Sequence, residues 1–249
     1  MTNVLLQIQN ITKRYTTATK TIDALKGVSF DIYKGEVVSL LGVNGAGKST
    51  LSSIIATLHP ATSGDILYNN KSIYHDLPGF RMRLGYCPQK PNLNPHLSLE
   101  QNLLFAGRLY GMNDDQIADR MIILAKRFGL ESYLAQKAEI LSGGYKQRFM
   151  IARSLIHSPE FIILDEPTVG LDPHIRRSLW DAIRELKKEG ITVLLTTHYL
   201  DEAEKLSDRV VILDQGLIKL IDTPDKLMAD FKQKNLEDVF IELMNTNKE

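Results

Sequence analysis

Apolar residues along this chain follow two different rhythms. Val28-Ser29-Phe30-Asp31-Ile32 alternates strictly between apolar and polar, the pattern of an antiparallel strand with one buried face, and a turn at Lys34-Gly35 follows it. Val37-Val38-Ser39-Leu40-Leu41 is instead nearly continuous, as are Phe161 to Leu164 and Ile191 to Thr196. Runs of that kind suit strands covered on both faces, and helical stretches between them predict a parallel α/β sheet. From about Leu97 to His157 the rhythm becomes helical. Ser98 and Gln101 stand at capping-box spacing for a helix ending near Gly111, and a second helix fits Asp114 to Phe128, closed by Gly129. This stretch reads as a helical subdomain, at about 90–157, inserted into an α/β core.

Further on, Leu200 to Ser207 reads as a helix. Val210 to Leu213, the corner Asp214-Gln215-Gly216 and Leu217 to Ile221 read as a hairpin. The expected division is one domain over 4–234, followed by a C-terminal helix and tail over 235–249. Leu236, Val239, Phe240 and Leu243 would form one apolar face of that helix, and the polar end from Asn245 to Glu249 is expected to fray.

Composition narrows the function. The 249 residues carry 30 Lys plus Arg and 30 Asp plus Glu, so net charge is zero and no basic surplus speaks for a nucleic-acid partner or an anionic membrane surface. The apolar runs are only a few residues long, far short of the roughly 18 needed for a membrane span, so the chain is expected not to cross a membrane. Met1 to Gln7 shows no secretory pattern. Cys87 is the sole cysteine, which rules out an internal disulfide and fits a small buried hydrophobe in a reducing compartment.

Gly42-Val43-Asn44-Gly45-Ala46-Gly47-Lys48-Ser49 matches the phosphate-binding loop, two glycines followed by Lys and a hydroxyl residue, with Thr50 continuing into the helix. Glycines allow the backbone to curl so that N–H groups point at phosphate oxygens, and the following helix presents its positive end to the same charge. Lys48 would reach the β and γ phosphates and Ser49 would ligate Mg²⁺. The loop also sits where it must, between a strand and a helix. Asp165 and Glu166 end the run Phe161 to Leu164. Alone, an Asp-Glu pair after a hydrophobic strand is commonplace. Beside this loop, Asp165 reads as the carboxylate holding Mg²⁺ through water and Glu166 as the general base for the attacking water.

Leu141-Ser142-Gly143-Gly144 then opens an amphipathic stretch containing Phe149, Ile151, Ala152 and Leu155. Physically it is a second helix N-terminus with free N–H groups, hence a second anion site. Here the sequence resembles the ABC ATPase family, whose signature is this Leu-Ser-Gly-Gly element, and the resemblance covers nearly the whole chain. It implies an α/β fold with a P-loop NTPase core, an antiparallel β subdomain and an inserted α-helical subdomain. It also implies that Ser142, Gly143 and Gly144 of one subunit cap the ATP held by the other, in a head-to-tail dimer.

Other positions match family elements in order. Tyr15 matches the aromatic stacking on adenine, although a lone Tyr after a strand serves packing equally well. Gln89, in Tyr86-Cys87-Pro88-Gln89, matches the glutamine touching Mg²⁺ and water. Asp172, in Val169-Gly170-Leu171-Asp172, matches the loop linking the two sites, and His198, in Thr196-Thr197-His198, the histidine contacting the γ-phosphate. Two departures are Val43, where proline or serine is common, and Tyr145, where many relatives have glutamine. The resemblance further implies integral membrane permease subunits as partners, a homodimer, and a place on the cytoplasmic face of the inner membrane. A groove near Gln89 to Leu97, lined by Lys90 to Pro95, would seat the permease. The ending Asn235 to Phe240 resembles that of exporters of the drug, polysaccharide and lipid type. A non-transport ABC ATPase, ribosome-associated or regulatory, is the alternative. Ribosomal forms usually carry two cassettes, and DNA-repair forms a long insertion, whereas Lys48 and Ser142 are only 142 − 48 = 94 positions apart.

Overall fold

Ile162 and Leu164 face one hydrophobic cluster while Phe161 and Ile163 face another, which is why their strand carries no polar alternation. The computed structural model describes residues 3–246. In chain order, β1 (Val4–Thr16) and β2 (Thr21–Tyr33) form an antiparallel pair, and β3 (Val37–Leu41) leads through the glycine loop into α1 (Lys48–Ile55). Strands β4 (Ser63–Tyr68) and β5 (Lys71–Ser72) and the short α2 (Leu77–Arg81) precede β6 (Leu84–Cys87). Three helices follow, α3 (Leu99–Leu109), α4 (Asp114–Phe128) and α5 (Gly143–Ser154). The chain then runs β7 (Phe161–Asp165), α6 (Pro173–Lys188), β8 (Thr192–Thr196), α7 (Leu200–Leu206), β9 (Arg209–Asp214) and β10 (Leu217–Asp222). It closes with α8 (Pro224–Asp230) and α9 (Leu236–Thr246).

Two sheets result. One is antiparallel, in the order β2-β1-β4-β5; the other runs β10-β9-β3-β8-β7-β6, parallel except for β10 at its edge. Leu6, Ile8 and Phe30 of the first sheet and Val38 and Leu40 of the second share a core with Leu51 and Ile54 of α1. Burial of each such side chain contributes about 2 kcal/mol, so α1 is anchored where its first turn meets the phosphate loop. On the other face, Leu103, Leu124, Phe128 and Phe149 of the helical insertion join Ile162, Leu164 and Trp180.

The caps expected at Ser98 and Gly129 are made, and the structure adds one at Asn113 that the sequence reading did not name. Ser98 and Gln101 bond reciprocally at the start of α3, Asn113 and Gln116 do the same for α4, and Gly129 ends α4 in the left-handed conformation at φ +63°. Strand β6 was not legible in the sequence: four residues long, it owes its place to parallel pairing with β7. Cys87 is fully buried at its end, and burial pushes its thiol up to about 12, so it is an inert packing group. Leu236 and Val239 of α9 are buried against Leu41, Ile212 and Leu227. Leu243 and Met244 pack on the same cluster, which holds the last turn, so Asn245 and Thr246 belong to α9 rather than to a frayed end. Residues 1, 2 and 247–249, touched by the readings of both termini, lie outside the described residues.

Candidate nucleotide site

The glycine loop is walled in by its neighbours. A Cβ on Gly42 would lie 2.2 Å from the Leu213 carbonyl oxygen, and Gly47, at φ +111°, leaves only 2.8 Å to the Ala24 carbonyl. No side chain fits at either place, so the backbone itself forms the cradle. Lys48 is 4% exposed and folds back over the loop, its Nζ donating to Gly42 O at 2.8 Å and Val43 O at 3.3 Å. Burial lowers its proton affinity, and the nearby Glu166 and Asp165 carboxylates oppose that. No acidic residue occupies the first turn of α1, so its N–H groups and dipole are left for an anion. Asn44, Gly45, Ser49, Thr50 and Glu166 line a cleft of about 370 Å³ together with Gly47 and Lys48, opposite Ile22 and Ala24 of β2.

Asp165 and Thr196 are register partners at the C-terminal ends of β7 and β8. Thr196 Oγ1 donates to Asp165 Oδ1 at 2.5 Å and accepts from the Glu166 N–H at 3.0 Å. Burial raises the Asp165 carboxyl's proton affinity and the Thr196 bond works against that rise. Glu166 has φ +48°, a left-handed conformation costing a non-glycine residue on the order of 1 kcal/mol. Its N–H also donates to Thr196 O at 3.0 Å, and this pair of bonds maintains the strain. The resulting kink carries the carboxylate out of the strand to the cleft, where Gln89 Nε2 donates to Oε2 at 2.8 Å and His198 Nδ1 lies 3.4 Å from Oε1. Loops after β6, β7 and β8 and the first turn of α1 thus converge at the carboxyl ends of the parallel strands.

The remaining expected residues lie elsewhere. Ser142 caps α5 without a side-chain hydrogen bond and is exposed, as is Gly143; Gly144 packs so closely on Ile175 that a Cβ would meet Cγ2 at 3.0 Å. None of the three lines the cleft. Asp172 caps α6 with its side chain exposed and unbonded. Tyr15, 40% exposed, does not line the cleft either, but its partner across the hairpin, Ile22, does. Val43, Gly42 and Asn44 line a second cavity of about 200 Å³ with His198 and Phe240, while Ala46 is buried and its carbonyl accepts from Gly216 N at 2.9 Å. The sequence reading missed the cleft wall formed by Ile22, Asp23, Ala24 and Lys26 of β2, and it missed Thr196 behind the cleft and Gln215 within it. Thr196 could have been suspected from its place two residues before His198; Gln215, at φ +46° in the β9–β10 turn, offers no local signal.

Residues 25–169 match the family model described as ABC transporter. The chain belongs to the ABC transporter ATP-binding family. This ABC ATPase is 40% identical over 225 residues to the linearmycin resistance ATP-binding protein LnrL of Bacillus subtilis, covering 90% of this chain and 71% of that one. It is 35% identical over 240 residues to a Nod factor export ATP-binding protein I of Bradyrhizobium diazoefficiens, covering 96% and 77%. Among solved structures it superposes on an ATP-binding subunit of an ABC transporter with TM-score 0.85 at 33% identity, covering 96% of this chain and 99% of that one. It also superposes on a dimeric ATP-binding cassette in a post-hydrolysis state bound to ADP and Pi, with TM-score 0.81 at 30% identity, covering 88% and 98%. The fold is the P-loop NTPase core with its antiparallel and helical subdomains, and the activity is hydrolysis of ATP to ADP and phosphate coupled to transport. No helix among the described residues is long and apolar enough to cross a membrane.

Proposed function

We propose that this ABC ATPase powers export of a substrate through separate integral membrane subunits, acting as a head-to-tail homodimer that encloses two ATP molecules. One observation carries this reading. Lys48 and Glu166 line one cleft, with Gln89 and His198 held against the Glu166 carboxylate and Asp165 next to it in the chain, whereas Ser142 and Gly143 are exposed and none of Ser142, Gly143 and Gly144 lines that cleft or meets that carboxylate. An anion-binding helix terminus with no anion site to serve in its own subunit has its use across a dimer interface. A dimeric cassette among the structural neighbours supports the same arrangement.

Each residue's part follows from its place. Lys48 exchanges its bonds to two loop carbonyls for bonds to the β and γ phosphates, alongside the N–H groups of Gly45, Gly47 and Ser49. Glu166 takes the proton of the attacking water, and the Gln89 amide and the His198 ring fix its carboxylate for that transfer. Asp172 reaches toward the opposite site, and Tyr15 stacks on the base beside Ile22. Among the described residues no group of three or more His, Cys, Asp or Glu could hold a metal ion. The Ser49 hydroxyl, the Gln89 amide oxygen and the Asp165 carboxylate would hold Mg²⁺, which takes few protein oxygens and leaves the rest to phosphate and water. Bound there, Mg²⁺ neutralises charge on the β and γ phosphates.

The permease seat is read from a cavity of about 590 Å³ between the core and the helical insertion, lined by Leu58, Met82, Tyr86, Leu109, Tyr110 and Arg153 among others. Leu58, Met82 and Leu109 are 54%, 48% and 70% exposed, an apolar surface suited to a short helix. Of the stretch Lys90 to Pro95 only Asn92 lines it, so the seat lies to one side of the loop expected from the sequence. Export is favoured by relatives named for Nod factor export and drug resistance. A place on the cytoplasmic face of the membrane follows from the partner. Co-purification tests the reading: an integral membrane protein should accompany the chain, and Leu109→Asp should release it while ATP binding persists. Recovery with ribosomes and no membrane partner would overturn it.

A further inference from the structure

Lys26 of β2 and Gln215 of the β9–β10 turn line the nucleotide cleft beside the phosphate loop, yet neither side chain is used by the protein's own structure. Both are exposed. Among the described residues the Gln215 amide makes no side-chain hydrogen bond and the Lys26 ammonium no ion pair. Asp23, the acidic residue nearest Lys26 in the chain, is taken by Arg14, which donates to its two carboxylate oxygens at 2.6 and 3.1 Å. Lys26 therefore keeps its charge for something else in the cleft.

The turn carrying Gln215 is not a loose tip. Asp214 and Leu217 are register partners, so Gln215 and Gly216 make a two-residue hairpin turn, with φ +46° and +78°. Asn, Asp or Gly occupies the first place of such a turn most readily, and a longer side chain there carries left-handed strain on the order of 1 kcal/mol. Gly216 pins the turn on two sides. Its N–H donates to Ala46 O in the phosphate loop at 2.9 Å, and its carbonyl accepts the Lys26 N–H at 2.9 Å. A Cβ on Gly216 would lie 2.7 Å from the Ala24 carbonyl oxygen. Wedged in this way between the phosphate loop and β2, the turn holds Gln215 at a fixed place on the cleft wall.

Position along β2 indicates which part of a nucleotide these groups meet. Ile22, Ala24 and Lys26 all line the cleft, at two-residue steps of about 7 Å. Ala24 is the residue whose carbonyl abuts Gly47. Ile22, paired with Tyr15 near the hairpin end, lies to one side of it, and Lys26, bonded to the turn that touches Ala46, lies to the other. Lys26 and Gln215 thus stand at the phosphate-loop end, away from Tyr15.

We propose that Lys26 and Gln215 bind the phosphate chain of ATP from the β2 side of the cleft, Lys26 through its ammonium and Gln215 through its amide N–H. The strained turn presents a long amide where asparagine or glycine would sit more easily and reach less far. The proposal rests on the cleft beside Lys48 as the ATP site, a reading that Lys48→Ala tests by itself.

Displacement of a fluorescent nucleotide from the full chain, by ATP and separately by inorganic tripolyphosphate, measures the contact. Lys26→Gln should weaken both competitors about tenfold and flatten the salt dependence of their binding. Gln215→Gly relieves the left-handed strain, so the nucleotide-free chain should keep or raise its Tm while both competitors bind about three- to fivefold more weakly. A residue serving the turn alone would leave both affinities unchanged. Gln215→Glu keeps size and sets a negative charge against the phosphates, so both affinities should fall at least tenfold. Unchanged affinity in Lys26→Gln or in Gln215→Glu overturns the proposal. So does a loss seen with ATP and not with tripolyphosphate, which would put the contact at the ribose or base. Undiminished ATP binding by Lys48→Ala would instead remove the site beneath it.

Discussion

Gln89 donates its side-chain amide to Glu166 Oε2 at 2.8 Å, joining the ends of two neighbouring parallel strands. Gln89 extends from the end of β6, whose Leu84 and Tyr86 line the 590 Å³ cavity, and Glu166 from the end of β7. Gln147, in the signature helix α5, reaches the same place from behind, its amide 3.7 Å from Cys87 Sγ. One short chain of contacts therefore links the 590 Å³ cavity, α5 and the Glu166 carboxylate.

Glu166→Gln should lower turnover by about 10²- to 10³-fold while ATP affinity stays within a few-fold, because the side chain serves proton transfer and not phosphate binding. Phosphate release and fluorescent-nucleotide titration measure the two quantities. Size-exclusion chromatography with ATP should show a trapped dimer. Normal hydrolysis would disprove the general-base role.

Lys48→Ala should weaken ATP binding by about 100-fold, having removed a charge-assisted donor pair. The sign for the nucleotide-free chain is different. Burial depresses the Lys48 proton affinity in the folded state, so its cation disfavours folding at neutral pH and that cost fades only as pH rises through the window between its folded and unfolded values. Thermal melting should therefore show little loss of stability without nucleotide, and a much smaller upward shift than the unsubstituted chain when ATP is added. An unchanged ATP-dependent shift would exclude Lys48 from the site.

Ser142→Arg places a bulky cation on an exposed helix terminus that touches nothing in its own cleft. Binding of ATP to each subunit should be unaffected, and turnover should fall at least tenfold as dimer closure is obstructed. Unimpaired turnover would argue that each cleft works alone.

Acid should reveal His157. Its ring stacks on Tyr110 at 3.6 Å, Nε2 bonds to Leu84 O at 3.0 Å and Nδ1 is buried without a partner. Burial pulls its pKa from 6.5 down to about 4, with the Leu84 bond opposing. The unfolded chain therefore takes up this proton first: the contribution of neutral His157 is intact above about pH 6.5 and is lost as pH falls toward 4. At about 1.4 kcal/mol per unit this amounts to about 3 kcal/mol. Urea unfolding at pH 7 and pH 4 should show His157→Gln losing less stability on acidification than the unsubstituted chain, and equal losses would contradict the buried neutral imidazole.

Much of this protein is written locally. The run Val37 to Leu41 had to be a strand covered on both faces, the box at Ser98 had to start a helix and Gly129 had to end one, and the loop from Gly42 to Ser49 had to curl around an anion. Periodicity, caps and glycine geometry depend on residues a few positions apart, so the chain states them outright. What joins Glu166 to Thr196, Gln89 and His198 is strand order in the parallel sheet, β6 beside β7 beside β8, and neighbours in a sheet leave no mark in the spacing between them. The left-handed kink at Glu166 is likewise invisible in sequence, because it is maintained by a threonine 30 positions away. The bond from the Trp180 indole on α6 to the buried Glu202 on α7 exists only after the two helices have packed together. Sequence determined which chemistry is present; long-range pairing and burial decided which groups touch, since only folding brings distant residues to hydrogen-bond distance and removes the water between them.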